Sequence, residues 1–504
     1  MTTRPAVASP ASPVRRGWAL NLWHTAHRRL LAIDRSTAIR IVIACALLSL
    51  VLKLVNIVVH YGFWTGDDVE IHEMTLSALF GWNWRAWELR SPFYPMTFVY
   101  PIQWVLFELG ARDPFTFVLG GRAAVALIST ASVLVLFKVA ERATGSVRVA
   151  LLSAMIFAFS KLHIIGGSTE LPRTVSSLFV LVAFWLLMST RRPPAAAALS
   201  GALLGIAAAM RFSEEVFLLP AAVQFALNRR WRDLALSVAS FAVVVIAILG
   251  AGDALYWGRP FYSSRQIVDF TLVQRLSSRG YERWYAYVAS IPRWTDVVTI
   301  GFALAGIRSC DRAVALWAGI PVFALSLLPH KEPRYLIPIL PYVSILAAAG
   351  FAALLARIVA APTSEGERVW QHRRAAALLV AVFAAIVMEA SGYRLVRSER
   401  AVDIARFINQ DRGRRGVAAE QIWQLGGRIY LSGHEPVIDI DPTRIGDPEQ
   451  IQRAVRDARI EWVALLARDA GRFGYDITLQ RSGFDEVSVD AVARSPYRLF
   501  RRAP

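Results

Sequence analysis

Apolar runs recur along this chain at lengths that suit one solvent, the interior of a bilayer. A helix crosses about 30 Å of hydrocarbon with roughly 20 apolar residues. Runs that meet or approach this length occupy 38–60, 122–140, 147–165, 174–190, 195–210, 216–227, 234–251, 297–307, 314–328, 335–359 and 375–390. Read as helices, they make about eleven crossings, several of them short by the length rule. Of the 504 residues 55% are hydrophobic and 19% charged, more apolar surface than a soluble chain of this size hides. The expected fold class is an all-α polytopic membrane protein.

Charge orients the crossings. Residues 1–37 contain Pro, Ser and Arg15, Arg16, Arg28 and Arg29, with no small-residue cleavage site after a short apolar core, so they read as a cytoplasmic N-terminal tail. Threading onward, the links on that same side carry Arg142 with Arg148, Arg191 with Arg192, Arg229, Arg230 and Arg232, Arg308 with Arg312, and Arg373 with Arg374. Every one is basic. The net charge of +18 is thus an orientation signal spread over short links rather than a tract, and nucleic acid is not an expected partner. Cys45 lies inside the first run and Cys310 in a basic link, which leaves no disulfide framework or CxxC metal site.

The opposite links, 62–121, 166–173, 211–215, 252–296 and 329–334, are richer in carboxylates, aromatics and histidine. An odd number of crossings exports the tail as well. The resulting organisation is a tail 1–37, a membrane region 38–392 with a first outer loop at 61–121, and an extracytoplasmic unit 393–504. That last unit mixes helical periodicity at 401–410 and 447–458 with strand-like runs at 437–440, 462–466 and 487–489, the pattern of a small α/β domain.

The outer links hold the chemistry. The first begins Trp64-Thr65-Gly66-Asp67-Asp68-Val69-Glu70-Ile71-His72-Glu73, four carboxylates and a histidine directly after a span. Carboxylates so near a bilayer are costly unless paired or used. A general base at the membrane surface is one use, and helix capping by Asp is the structural alternative. Asp68, His72 and Glu73 also have a spacing that could hold a metal on one helix face. Next comes an aromatic and charged stretch with Trp87, Glu88 and Arg90, suited either to an interfacial belt or to stacking on a sugar and orienting its hydroxyls. The last outer link, His330-Lys331-Glu332-Pro333-Arg334, sets three basic groups between two strongly apolar runs, against the positive-inside trend. Such groups suit an anionic lipid phosphate. Glu170 with Arg173, Arg211 with Glu214 and Glu215, and a segment ending at Tyr285 complete this polar face, each most simply an ion pair or an interface anchor. Neither a GxxxxGK[ST] cradle nor a GxGxxG turn is present, and the one DxD, Asp439-Ile440-Asp441, falls in the exported tail, away from any nucleotide-sugar.

These residues resemble glycosyltransferase family 22, the GT-C-fold mannosyltransferases that build lipid-linked oligosaccharide and GPI glycans. His330-Lys331-Glu332-Pro333-Arg334 is similar to that family's HKEPRF signature, with Tyr335 in place of Phe. Asp67-Asp68 stands where the family has Asp-Glu, and Trp87-Glu88, Arg90-Ser91 and Tyr94-Pro95 resemble its TWE and RS…YP elements. Ordered similarity covers residues 66–338, leaving the tail outside it. The resemblance implies inverting transfer of mannose from a polyprenyl-phosphate-mannose donor to a glycan or glycolipid acceptor, at the extracytoplasmic face of the plasma membrane. It also implies roles: Asp67, with Asp68 second, as base; His330, Lys331 and Arg334 on the donor phosphate; Trp87, Glu88, Arg90, Arg173 and Tyr285 on the substrates. No metal, nucleotide or other cofactor is expected. A GT-C transferase of another lipid-linked sugar, or a transporter or flippase of one, is the alternative, although transporters place their ionisable groups near the midplane.

Overall fold

The computed structural model of the protein describes residues 33–82, 90–188, 193–273, 282–358, 365–391, 399–411, 415–431, 434–441, 445–493 and 495–503. Among them five helices are long and apolar enough to cross a membrane: Arg35–Val59, Pro114–Thr144, Pro193–Met210, Trp231–Trp257 and Pro333–Ile358. Four shorter apolar helices, Val147–Phe159, Pro172–Leu187, Val297–Gly306 and Arg312–Ser326, pack with them. The protein is a multi-pass helical membrane protein with a small C-terminal α/β domain. Helix Arg35–Val59 exposes Leu47, Leu48, Val51, Val55 and Val58, a face that only hydrocarbon solvates without penalty. Helix Pro333–Ile358 sits at the centre. There Gly350 meets the Phe302 carbonyl and Gly306 the Leu346 carbonyl so closely that a Cβ would lie 2.0 and 1.9 Å from the oxygens. Without hydrophobic drive between helices, such close approach supplies the packing.

Several of the basic links meet one another or a neighbouring helix end. Arg35 Nε pairs with Glu141 at 2.6 Å, Arg142 Nε donates to the Met188 carbonyl at 2.9 Å, and Arg312 Nη2 donates to Asn228 at 3.3 Å. Residues 1–32 of the N-terminal tail and the Arg191-Arg192 link lie outside the described residues, while Arg35 already begins the first helix.

Elsewhere the apolar runs break up. The run at 147–165 is two helices, Val147–Phe159 and Lys161–Gly166, because Ser160 between them is extended. The run at 335 starts earlier, as a 3-10 turn over Pro333–Ile339 with Pro333 opening it and Pro338 inside. The segment read as an outer loop contains the helix Gly66–Phe80, a π-helical turn Pro95–Val99 and the helix Tyr100–Glu108. Helix Gly66–Phe80, the loop helix below, buries an unbroken run from Asp68 to Ser77 apart from the half-buried Glu70. It has almost no solvent face, and hence none of the amphipathic periodicity that marks a surface helix.

The C-terminal domain covers that helix. Its five strands, β1 (Arg415–Glu420), β2 (Glu435–Ile440), β3 (Ile460–Leu466), β4 (Phe484–Val487) and β5 (Tyr497–Arg502), are ordered β2-β1-β3-β5-β4. β1 is parallel to β2 and β3, while β5 is antiparallel to β3 and β4. Phe63, Val69 and Leu76 of the membrane region share one core with Leu425, Ile429, Tyr430 and Val402. The approach is close at Gly427, whose φ of +57° suits glycine and where a Cβ would lie 2.3 Å from Glu73 Oε1. That oxygen accepts the Arg428 amide at 2.6 Å.

Burial pushes the Glu73 carboxyl up to about 8, against the opposing pull of the Arg428 amide. The folded protein therefore favours the neutral acid. The stabilisation is complete below the ordinary value of 4.5 and is lost as pH rises through about 8. The melting temperature is expected to fall between pH 6 and pH 9, and Glu73→Gln is expected to flatten that dependence; an unchanged pH profile in the variant counts against Glu73 as its source.

Candidate active site

Two adjacent aspartates begin the loop helix and do different things. Asp68 is fully buried, and its Oδ2 accepts the amides of Trp64 at 2.9 Å and Thr65 at 3.1 Å, closing the helix start. Asp67 turns the other way, into a cluster of guanidinium groups. Its Oδ1 lies 2.9 Å from Arg90 Nη2, and its Oδ2 lies 3.0 Å from Arg334 Nη1 and 3.4 Å from Arg211 Nη2. These partners come from three distant segments: the first outer segment, the end of helix Pro193–Met210, and the turn that opens the central helix.

Two of the three cations are held again from behind. Arg90 also reaches Glu70 Oε2 at 2.7 Å, and Arg334 donates to Thr65 Oγ1 at 2.9 Å and pairs with Glu332. Glu332 Oε1 in turn lies 3.0 Å from His330 Nε2. Lys331 donates to the Glu282 and Leu328 carbonyls. Of the His330–Arg334 motif, then, Arg334 is the side chain in contact with Asp67; His330 connects to it through Glu332. Arg173 lies 3.9 Å over the Tyr335 ring and donates to Ser213 Oγ at 2.8 Å. Tyr285 is exposed, its hydroxyl accepting from Arg283 at 2.6 Å. Trp87 and Glu88 lie outside the described residues.

A second network supports the loop helix. Glu170, fully buried, accepts from Arg122 Nε at 2.7 Å and Nη2 at 3.2 Å and lies 3.1 Å from His72 Nε2. Arg122 also donates to the Tyr61 and Gly62 carbonyls, which end the first span, and Tyr94 donates to the Glu170 carbonyl. Two pairings read from sequence proximity are thereby corrected. Glu170 pairs with Arg122 rather than Arg173, and Arg211 reaches Asp67, while Glu214 bonds to Ser176 and Ser213. Arg122 starts an apolar run, and in the sequence it has the signature of a span boundary rather than of a buried ion.

The electrostatics divide the carboxyls. Burial raises Asp67, but the charges of Arg334, Arg211 and Arg90 outweigh it and hold this carboxyl well below the usual carboxylate range. Asp68 moves the other way, raised by burial and by the Glu170 charge. Burial also lifts Glu70, to about 7, against the neighbouring Arg90. Of these three, Asp67 is thus the one held ionised. Among the described residues no three His, Cys, Asp or Glu side chains converge as a metal site requires. The sequence trio of Asp68, His72 and Glu73 diverges, toward the helix cap, Glu170 and Arg428 respectively. Asp439 of the DxD accepts the Ile422 amide within its own domain.

A sequence model of the Alg9-like mannosyltransferase family matches residues 63–412. No curated protein sequence matches the chain significantly. Among solved structures, ArnT from Cupriavidus metallidurans bound to undecaprenyl phosphate is similar, with a TM-score of 0.64 at 14% identity, covering 91% of this chain and 97% of that one. The oligosaccharyltransferase AglB from Archaeoglobus fulgidus, in complex with an inhibitory peptide and a dolichol-phosphate, gives 0.56 at 11% identity, covering 89% and 72%. The mycobacterial arabinofuranosyltransferase AftD gives 0.51 at 15%, covering 94% and 40%. At these identities the likeness is one of fold, the GT-C fold.

Because Glu170 is the buried counter-charge of Arg122, Glu170→Ala is expected to destabilise the protein by about 3–5 kcal/mol, the cost of leaving a buried ion uncompensated. Thermal unfolding of the variant in detergent checks this; a shift within error of the parent means that the Tyr61 and Gly62 carbonyls satisfy Arg122 alone.

Proposed function

The chain belongs to the Alg9-like mannosyltransferase family, and on that premise we propose that it transfers mannose, with inversion, from a polyprenyl-phosphate-mannose donor to a hydroxyl of a glycan or glycolipid acceptor. Glycosyl transfer is the family's chemistry; the sugar, the lipid carrier and the face of the membrane are the proposal. The observation that carries it is the 3.0 Å contact between Asp67 and Arg334. It puts a carboxylate held in its ionised form beside a guanidinium from the His330–Arg334 link, as a transfer from a lipid phosphate requires.

In the reaction the acceptor oxygen attacks the anomeric carbon from the face opposite the phosphate. The bond from that carbon to the phosphate oxygen breaks, its electron pair leaves with the phosphate, and the hydroxyl proton passes to Asp67. The leaving group departs as a stable phosphate monoester, so the demand is for fixed positive charge rather than for an acid. Arg334 supplies that charge, with His330 and Lys331 beside it in the same link. Asp68 holds the helix start rather than sharing the proton transfer. Arg90 fixes the Asp67 oxygens, while Arg173 over Tyr335 and the exposed Tyr285 ring, with Trp87 and Glu88, contact the sugars. The undecaprenyl phosphate held by ArnT and the dolichol-phosphate held by AglB support a lipid phosphate as the donor's leaving group. An extracytoplasmic site at the plasma membrane is supported by charge. The helix that leads into the Asp67 segment begins at Arg35, beside basic links that the positive-inside rule keeps in the cytoplasm.

With membranes and labelled polyprenyl-phosphate-mannose, Asp67→Asn is expected to lower turnover by about 10²- to 10⁴-fold, the usual worth of a positioned base. Full activity in that variant rejects Asp67 as the base. Turnover of a different lipid-linked sugar, with none of the mannose donor, rejects the sugar and leaves the site standing.

A further inference from the structure

Three guanidinium groups share the one Asp67 carboxylate, and they are unequally satisfied. Arg90 has Glu70 at 2.7 Å as well, and Arg334 has Glu332 as well. Arg211 approaches the oxygen that Arg334 already occupies, Oδ2, at 3.4 Å, beyond the roughly 2.7–2.9 Å of a charge-assisted hydrogen bond. The neighbouring carboxylate that proximity in sequence would offer it, Glu214, is engaged by Ser176 and Ser213 and lies 3.9 Å from Arg173. Arg211 is partly exposed, at 22%, more than Arg90 or Arg334 at 8% and 7%. Its position is set by the end of helix Pro193–Met210, where its own backbone turns extended before the 3-10 turn Phe212–Phe217.

Two converging guanidinium groups with one shared oxygen between them fit a tetrahedral anion better than a carboxylate edge. Resting on the lipid-phosphate donor argued above, we infer that Arg211 joins Arg334 in binding the donor's phosphate, and that Asp67 holds both groups in place until the phosphate displaces it. Two consequences follow for the reaction. The phosphate goes from a singly charged diester to a monoester carrying more charge, so two arginines on it stabilise the leaving group increasingly as the bond breaks. And an Asp67 relieved of Arg211 and Arg334 regains proton affinity, because those two charges are the main attractions that depress it. The base is therefore weak in the empty site and becomes effective once the donor is seated.

The test measures binding of undecaprenyl phosphate to the full-length protein in detergent, with undecaprenol as the control lacking phosphate. A carboxylate that competes for the arginines weakens phosphate binding, and a neutral side chain does not. Asp67→Asn is therefore expected to bind undecaprenyl phosphate about tenfold more tightly than the parent, the factor that ~1.4 kcal/mol produces. Asp67→Ser is expected to shift in the same direction. A gain in affinity is not a result that misfolding can mimic. Arg211→Ala is expected to weaken phosphate binding about tenfold in the Asp67→Asn background while leaving undecaprenol unchanged. If the parent binds the phosphate lipid and the neutral variants bind it equally or less well, displacement of Asp67 is wrong. If Arg211→Ala binds it as well as its background, Arg211 is not a phosphate ligand. If the parent shows no preference for undecaprenyl phosphate over undecaprenol, the lipid-phosphate donor itself fails, and this inference with it.

Discussion

A carboxylate at the rim of a hydrocarbon slab is stable only if its charge is met, and Asp67 is met by Arg334 from 267 positions further along the chain. That contact ties the loop helix to the turn that opens the central helix, so the most buried span of the bundle and the segment bearing Asp67 are referenced to each other. Both ends of the pair are reinforced. Thr65, the residue before the helix, accepts from the same guanidinium nitrogen, and Glu332 holds the group from behind. Losing either partner would leave the other ion less fully compensated close to lipid, so a pair of this kind also acts as an assembly constraint.

The loop helix is fixed from the remaining directions by groups of quite different character. Asp68 closes its first turn, the buried His72–Glu170–Arg122 network anchors it to the end of the first span, and the C-terminal domain clamps its far side through Glu73 and the glycine turn at Gly427. Four acidic residues within seven positions thus have four separate tasks: Asp67 faces the cations, Asp68 caps, Glu70 orients Arg90, and Glu73 docks a domain. The role proposed for Asp67 needs this kind of support, since a displacement of even 1 Å at a reacting group costs orders of magnitude in rate.

Much of this was legible in the sequence, and what was not has identifiable physical causes. The apolar runs and the basic links between them announced a helical bundle with one polar end, because solvation by lipid constrains composition strongly. The pairing of Asp67 with the His330–Arg334 link was readable because both break the rule that such positions be apolar or uncharged. Arg211 and Arg122 were not singled out as site residues, for each sits where a span meets its link and looks like an ordinary boundary cation. In the first outer segment the sequence shows a helix start at the aspartates but not the extent of the helices, since burial on nearly all sides erases their amphipathic pattern. In the tail, β1 is built largely from small residues and β5 holds Arg498, Arg501 and Arg502, so neither carries the β-branched signal that marks β2 and β3. Residues 83–89 of the aromatic stretch, with Trp87 and Glu88, lie outside the described residues.

The most direct measurement is an experimental structure of the protein with undecaprenyl phosphate bound. The phosphate is predicted to lie within hydrogen-bond distance of Arg334, on the side of Asp67 that faces the arginines, leaving that carboxylate beside the space where an acceptor hydroxyl enters. A phosphate seated elsewhere, with the Asp67–Arg334 contact closed and intact, would contradict the assignment of this ion pair as the junction of donor and base.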